Sequence, residues 1–121
     1  MSLLSQGKPA RTVSKGVVCD TQDAVETLYT CPTNCRAEIT MLFCVNANGT
    51  TTALAKWVRA SDSAEFRLIG GKNLSLGENV LLTGATLVLE PGDTLKCIAS
   101  GNASPELDFM CTVIETFLPV G

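Results

Sequence analysis

The sequence predicts an all-β protein, a single antiparallel β-sandwich of about eight strands, jelly-roll-like and preceded by an extended N-terminal arm. Apolar and polar residues alternate with a period of two in short runs, and no helical periodicity persists long enough to predict a helix. Glycine, proline and asparagine separate these runs, as is typical of sandwiches and jelly rolls. The 121 residues, 45% of them hydrophobic, suffice for one domain with one core.

The predicted strands follow one another along the chain. The strand 36–46 has the clearest alternation, with the odd-numbered residues from Ile39 to Val45 on one face and the even-numbered residues on the other. The Asn48-Gly49 pair behind it is a hairpin signal, so we expect the next strand to pair with it. Pro91-Gly92 favours a type II turn. The predicted strands are 25–30, 36–46, 51–60, 65–69, 78–83, 85–90, 94–100 and 107–118.

The first fifteen residues differ in character from the rest. They hold three basic residues, Lys8, Arg11 and Lys15, and none of the twelve acidic residues of a chain whose net charge is −3. We therefore divide the chain into a basic N-terminal arm, 1–15, and a β-sandwich domain, 16–121. Such an arm is free to reach an acidic neighbouring surface, where Leu3 and Leu4 would fill a shallow groove.

The last predicted strand is apolar on both faces. Phe109 and Val113 lie on one face, and Met110, Ile114 and Leu118 lie on the other. A strand with one face in water would alternate with polar residues, so the second face needs a cover. That cover is either the chain's own termini or another subunit, and we expect a homo-oligomer, with a trimer favoured.

Trp57 is the single tryptophan of the chain and shares a strand face with Ala53 and Ala55. This setting is more typical of a core or interface anchor than of a platform for a ligand. The predicted partner-binding residues are Leu3, Leu4, Lys8, Arg11, Lys15, Trp57, Met110, Ile114 and Leu118.

The composition excludes several classes of function. Without histidine the chain builds neither a Ser-His or Cys-His nucleophile nor an imidazole metal site. Its sequence pI of 4.8 is unfavourable for binding nucleic acid. No signal peptide or membrane span is evident, so we expect synthesis in a cytoplasm and no membrane association. We predict no enzymatic activity and no cofactor.

The six cysteines carry no metal-binding pattern. Only Cys31 and Cys35 are closely spaced, and a zinc site needs further paired ligands. Cys44, Cys97 and Cys111 lie in apolar alternating stretches, where a reduced cysteine behaves as a small buried hydrophobe. We therefore predict no metal site, and leave open whether Cys31 and Cys35 form a disulfide.

Three segments follow a recognisable pattern in order. Residues 28–37, LYTCPTNCRA, are similar to an opening LYT-V-P-x-x-x-x-A, and residues 39–46 are similar to a following strand that ends in Cys-x-Asn. Residues 87–100, LVLEPGDTLKCIAS, are similar to L-x-L-x-x-G-D-x-L-x-x-x-A-S. Together the segments resemble the small β-sandwich virion structural proteins of tailed bacteriophages. Cys31 and Cys35 depart from that pattern, so no role is transferred to them.

The resemblance implies a virion component that is made in a bacterial host and binds other virion proteins. It favours a capsid cement or decoration protein that stabilises the head by binding the major capsid protein. One alternative is a neck or tail adaptor, or a fibre-associated protein. A second alternative is a carbohydrate-binding module for host attachment, although aromatic residues, which usually stack on sugar rings, make up only 5% of the chain.

Overall fold

The computed structural model describes residues 10–119, except for the side chains of residues 85 and 86. These residues form eight β-strands, and no helix among them has the length and apolar character needed to cross a membrane. The strands are β1 (Ala10–Cys19), β2 (Glu26–Thr30), β3 (Cys35–Asn46), β4 (Thr51–Val58), β5 (Glu65–Leu74), β6 (Asn79–Leu89), β7 (Thr94–Ser100) and β8 (Leu107–Phe117).

The strands form two four-stranded antiparallel sheets. Sheet I has the order β1-β8-β3-β6 and sheet II the order β2-β7-β4-β5. First and last strands pair with each other, as do β2 with β7, β3 with β6 and β4 with β5. This nesting is jelly-roll topology, and it confirms the predicted all-β antiparallel sandwich.

The segment 10–15, assigned from the sequence to the arm, lies in β1. This strand pairs with β8 from Ala10 opposite Thr116 to Cys19 opposite Leu107. The predicted boundary between arm and domain therefore falls inside a strand. The alternation of β1 is weak because it is an edge strand in which only Cys19 is fully buried.

The predicted hairpin between the strands 36–46 and 51–60 is wrong, because β3 belongs to sheet I and β4 to sheet II. Asn46 holds the corner between them. Its buried Nδ2 donates to the carbonyl oxygens of Gly49, at 2.6 Å, and Leu74, at 2.9 Å. The Asn48-Gly49 turn, with Gly49 at a φ of 61°, thus directs the chain from one sheet to the other.

A β-bulge in β3 changes which residues face the core. The register shifts between Ile39 and Met41 in the pairing of β3 with both β6 and β8. As a result Ile39 is buried together with Leu42 and Cys44, while Met41 and Phe43 are only half-buried. The predicted alternation therefore holds only from Met41 onward, because a bulge adds one residue and reverses the pattern.

Glycines predicted to end strands lie inside them. The predicted strands 78–83 and 85–90 form one strand, β6, and β5 continues through Gly70 and Gly71 to Leu74. In both cases pairing with a neighbouring strand extends beyond the glycine. Tertiary pairing thus overrides the low strand propensity of glycine.

The core lies between the inner faces of the two sheets. Its largest fully buried side chains include Phe109, Leu74, Leu89 and Leu95. All six cysteines are buried there as free thiols, which confirms the prediction for the three in apolar stretches. The edges of the sandwich lie at β1 and β2 on one side and at β5 and β6 on the other.

Candidate functional site

An apolar surface crosses the outer face of sheet I. One row of paired residues runs from Gly16 in β1 through Met110 in β8 and Phe43 in β3 to Leu81 in β6. Met110 is 38% exposed and Leu81 is 55% exposed. Because the row includes all four strands of the sheet, it forms a continuous apolar strip, which we call the outer strip.

The neighbouring rows on this face mix apolar and polar residues. Val18 and Val45 flank Asp108 in one row, and in the other row Met41 lies between Thr112 and Thr83. Val18 is 47% exposed. Toward the other end of the sheet the surface becomes polar, where Arg36 Nε forms an ion pair with Glu90 Oε2 at 3.1 Å. An apolar area with a charged border is typical of a protein–protein contact surface.

The predicted partner-binding residues that the structure describes do not lie together on one surface. Met110 and Ile114 lie on the outer face of β8, whereas Leu118 follows the end of that strand and donates its backbone N–H to Asn34 O at 2.9 Å. Leu3, Leu4 and Lys8 lie outside the described residues.

Sequence reasoning did not connect Met110 with Phe43 and Leu81. A single sequence contains no signal for the pairing register that brings these three side chains together. The sequence could show only that each of the three strands carries apolar residues at alternate positions.

Arg11 and Lys15 line the edge of the sandwich between β1 and β2 rather than a free arm. Arg11 Nε donates to Oε1 of the buried Glu115 at 2.7 Å, and Tyr29 OH donates to Oε2 of the same carboxylate at 2.5 Å. Lys15 and Arg11 both line a shallow cleft between β1 and β2. A polar network built around a buried carboxylate therefore connects β1, β2 and β8 at this edge, with Arg11 as its β1 member.

The network lowers the pKa of Glu115. Burial on its own raises the pKa of this carboxyl, but the hydrogen bonds from Tyr29 and Arg11 and the charge of Arg11 outweigh burial. The same burial and hydrogen bond raise the pKa of Tyr29. Glu115 is thus ionised and Tyr29 is protonated at neutral pH.

We expect the stabilising effect of Glu115 to disappear in acid. A lowered native-state pKa adds stability that is complete above the ordinary carboxyl pKa and is lost as the pH falls through the lowered value. The free energy of unfolding of the wild type should therefore exceed that of Glu115→Gln at neutral pH, and the difference should shrink below about pH 4. Urea unfolding of both proteins between neutral pH and a pH below 4 measures this difference in the free energy of unfolding. A difference independent of pH would contradict the network.

The side chain of Trp57 is hydrogen-bonded to the turn between β6 and β7. Its Nε1 donates to Oδ2 of the buried Asp93 at 3.0 Å, and Phe66 packs on its ring with a centroid distance of 4.9 Å. Arg59 lies over both rings, 5.9 Å from the Trp57 centroid and 5.2 Å from that of Phe66. The side chain is thus half-buried and shared between core and surface.

A cleft opens into the core at the edge formed by β5 and β6. Its volume is about 330 Å³. Its lining includes Ile39, Leu42, Leu82 and Leu87 of sheet I, Leu68 of sheet II, and the outer-strip leucine Leu81 with its neighbour Met41. Leu82 is 39% exposed although its backbone position faces the core. We call this cavity the β5–β6 cleft. Unlike the opposite edge, it has no charged side chain in its lining.

The cysteines offer neither a nucleophile nor a metal site. No group of three metal-ligating side chains occurs among residues 10–119. Burial raises the pKa of Cys31 and of Cys111 to about 11 and that of Cys44 to about 12, so their thiols stay protonated at neutral pH. Cys31 Sγ donates to Cys35 O at 3.4 Å, and both residues are free thiols.

The sequence matches no protein-family model and no curated protein, but the fold resembles solved structures. A subunit of the disulfide-linked pili of Bacillus endospore appendages has a TM-score of 0.55 at 12% identity, over 91% of this chain and 89% of the subunit. A protein in the acid-stable capsid of Helicobacter pylori bacteriophage KHP30 has a TM-score of 0.55 at 11% identity, over 93% and 95%.

A protein of the infectious bursal disease virus Gx strain has a TM-score of 0.52 at 10% identity, over 90% of this chain. The chain spans only 33% of the length of that viral protein. Capsid and pilus subunits of very different sequence thus share this fold. At such low identity the likeness establishes the sandwich architecture.

Proposed function

We propose that this protein is a structural component of a virion, a capsid cement or decoration protein that binds the major capsid protein and stabilises the head. The observation that carries the proposal is the outer strip, which brings apolar side chains of β8, β3 and β6 together on the outer face of sheet I, with the exposed Val18 of β1 in the neighbouring row. Burial of such a surface against a partner is favourable at roughly 25 cal/mol per Å² of apolar area.

Two further observations support the proposal. The fold is shared with a bacteriophage capsid protein, and the residues that resemble tailed-phage virion proteins include Gly92 and Asp93 in the stretch 87–100. A modest contact for each copy is sufficient on a capsid, because repeated sites on a lattice add by avidity.

Electron microscopy of phage particles with an antibody against this protein tests the proposal. We expect label at many positions of the capsid lattice. Label confined to one vertex would instead support a neck or tail component, and particles without the protein would contradict any virion role.

The outer strip can be tested separately with a matched pair of variants. We expect Phe43→Ser/Met110→Ser to remain folded, since neither side chain is fully buried, and to lose binding to particles that lack the native protein. Leu76→Ser, which removes a 67% exposed leucine from a loop, should bind normally. Co-sedimentation with the particles measures binding. Equal binding of both variants would exclude the outer strip as the capsid contact.

A deletion test of the N-terminal arm needs a boundary set by the structure. Removal of residues 1–15 would delete more than half of β1 and break the ion pair of Arg11 with Glu115. Removal of residues 1–9 leaves every described strand intact. The shorter deletion is therefore the appropriate variant for measuring the contribution of the arm.

A further inference from the structure

We propose that residues 2–5 of a second copy of this chain add as a strand to the free edge of β6, with Leu3 and Leu4 packed at the β5–β6 cleft. This contact is a self-association surface that adjoins the outer strip and shares Leu81 with it. It goes beyond the proposed virion role, and it gives Leu3 and Leu4 a binding place on a like subunit instead of on the capsid protein.

The free edge of β6 is unusual in composition. No residue between Asn79 and Leu89 is charged, and none is proline. Exposed edge strands normally carry charges, proline or a covering segment, which prevent pairing with another chain. Between residues 79 and 83 the strand is in regular register with β3 on one side, and its other edge faces no strand among the described residues. This stretch is therefore available to pair with a further strand.

Two adjacent leucines of β6 are complementary to a strand that carries two adjacent apolar residues. Leu81 lies in the outer-face row of sheet I, and the adjacent Leu82 pairs with the buried Leu42 on the inner face; both leucines line the cleft. Successive side chains of a strand lie on opposite faces of a sheet. The adjacent residues Leu3 and Leu4 match this arrangement, since one would cover Leu81 while the other enters the cleft beside Leu82.

The distance indicates that the segment comes from another copy. Ala10 lies at the far edge of sheet I, in the row of Thr116 and Arg36. Leu82 is three strand spacings away and pairs with Leu42, six residues along β3 from Arg36. These offsets, about 14 Å across and about 20 Å along the sheet, give a separation of about 24 Å. Leu4 is six residues before Ala10 and reaches at most about 20 Å.

The composition of the segment favours the same occupant. Leu3 and Leu4 are flanked by serine and glutamine, and Lys8 follows them in a stretch without acidic residues. An extended segment with an apolar pair and polar ends suits an uncharged strand edge beside an apolar cleft. Since each copy carries both the segment and the cleft, the contact can join several copies in a ring or chain.

Sedimentation of the full-length protein tests the proposal. We expect the wild type to form oligomers and Leu3→Ser/Leu4→Ser to associate more than about tenfold more weakly, because two leucines lose their burial. Leu82→Ser should weaken association by a similar factor. Leu76→Ser, which removes a leucine that does not line the cleft, should associate as the wild type does. Circular dichroism verifies that each variant is folded. A monomeric wild type, or oligomers unaffected by Leu3→Ser/Leu4→Ser, would overturn the proposal.

A photo-crosslink locates the contact directly. A benzophenone amino acid in place of Leu4, in a mixture of isotopically labelled and unlabelled protein, should yield crosslinks between different copies that map to residues 79–83. Crosslinks within one copy, or to another region of the chain, would overturn the proposal. The result is independent of the virion role, because label on phage particles and self-association are measured in separate experiments.

Discussion

Replacement of Phe109 by alanine is expected to lower the free energy of unfolding by about 3–5 kcal/mol. Phe109 is fully buried in β8, between Val17 of β1 and Cys44 of β3 in the register of sheet I. Removal of its ring leaves a cavity in the centre of a sheet whose neighbouring strands are fixed by pairing on both sides, so the core cannot collapse to fill it. Urea unfolding followed by far-ultraviolet circular dichroism measures the loss.

Phe66→Ala is the matched control for this prediction. Phe66 lies in the edge strand β5 and is 41% exposed, and it contacts the ring of Trp57. Loss of this partial burial is expected to cost about 1 kcal/mol. If Phe109→Ala destabilised the protein no more than Phe66→Ala, Phe109 would not lie at the centre of the core as described.

Replacement of Asp93 by alanine is expected to destabilise the protein by about 3 kcal/mol or more. The buried carboxylate accepts three hydrogen bonds, from Trp57 Nε1 at 3.0 Å, Ala60 N at 2.9 Å and Glu90 N at 3.0 Å. It thereby links the β6–β7 turn to the end of β4 and the loop that follows. Alanine leaves three part-buried donors without their acceptor, and each hydrogen bond to a charged group contributes about 1.5–3 kcal/mol.

Two measurements distinguish this network from a general loss of packing. Trp57 is the single tryptophan, so its fluorescence should shift in Asp93→Ala as the indole loses its acceptor. Asp93→Asn keeps one carbonyl oxygen as acceptor and should lose less stability. An Asn variant as unstable as the alanine variant, with unchanged tryptophan emission, would argue against the hydrogen bonds as the cause.

The turn that contains Asp93 was predictable, but the partners of Asp93 were not. Pro91-Gly92 indicated a type II turn, and Gly92 has a φ of 88° with Asp93 N donating to Glu90 O at 3.0 Å. The contacts of Asp93 with Trp57 and Ala60 join residues that lie more than thirty positions away in the chain. Local sequence chemistry determines a turn, whereas distant partners depend on how the sheets stack.

The same division applies to the candidate site. The apolar character of Met110 and Ile114 on the second face of β8 could be predicted from the alternation in that strand alone. Their continuation through Phe43 to Leu81 depends on the register of three strands and on the bulge between Ile39 and Met41. The position of the β5–β6 cleft depends on which strands form the edges of each sheet.

The sequence by itself therefore determined the all-β class, most strand positions, the burial of Cys44, Cys97 and Cys111, and the unsuitability of the chain for histidine chemistry. These properties follow from composition and from a period of two, which are local. Only the tertiary structure decided that β1 belongs to sheet I, that β3 and β4 lie in different sheets and that Arg11 pairs with Glu115. Such features arise from pairing between distant segments, where neighbouring strands supply hydrogen bonds and burial that outweigh local preference.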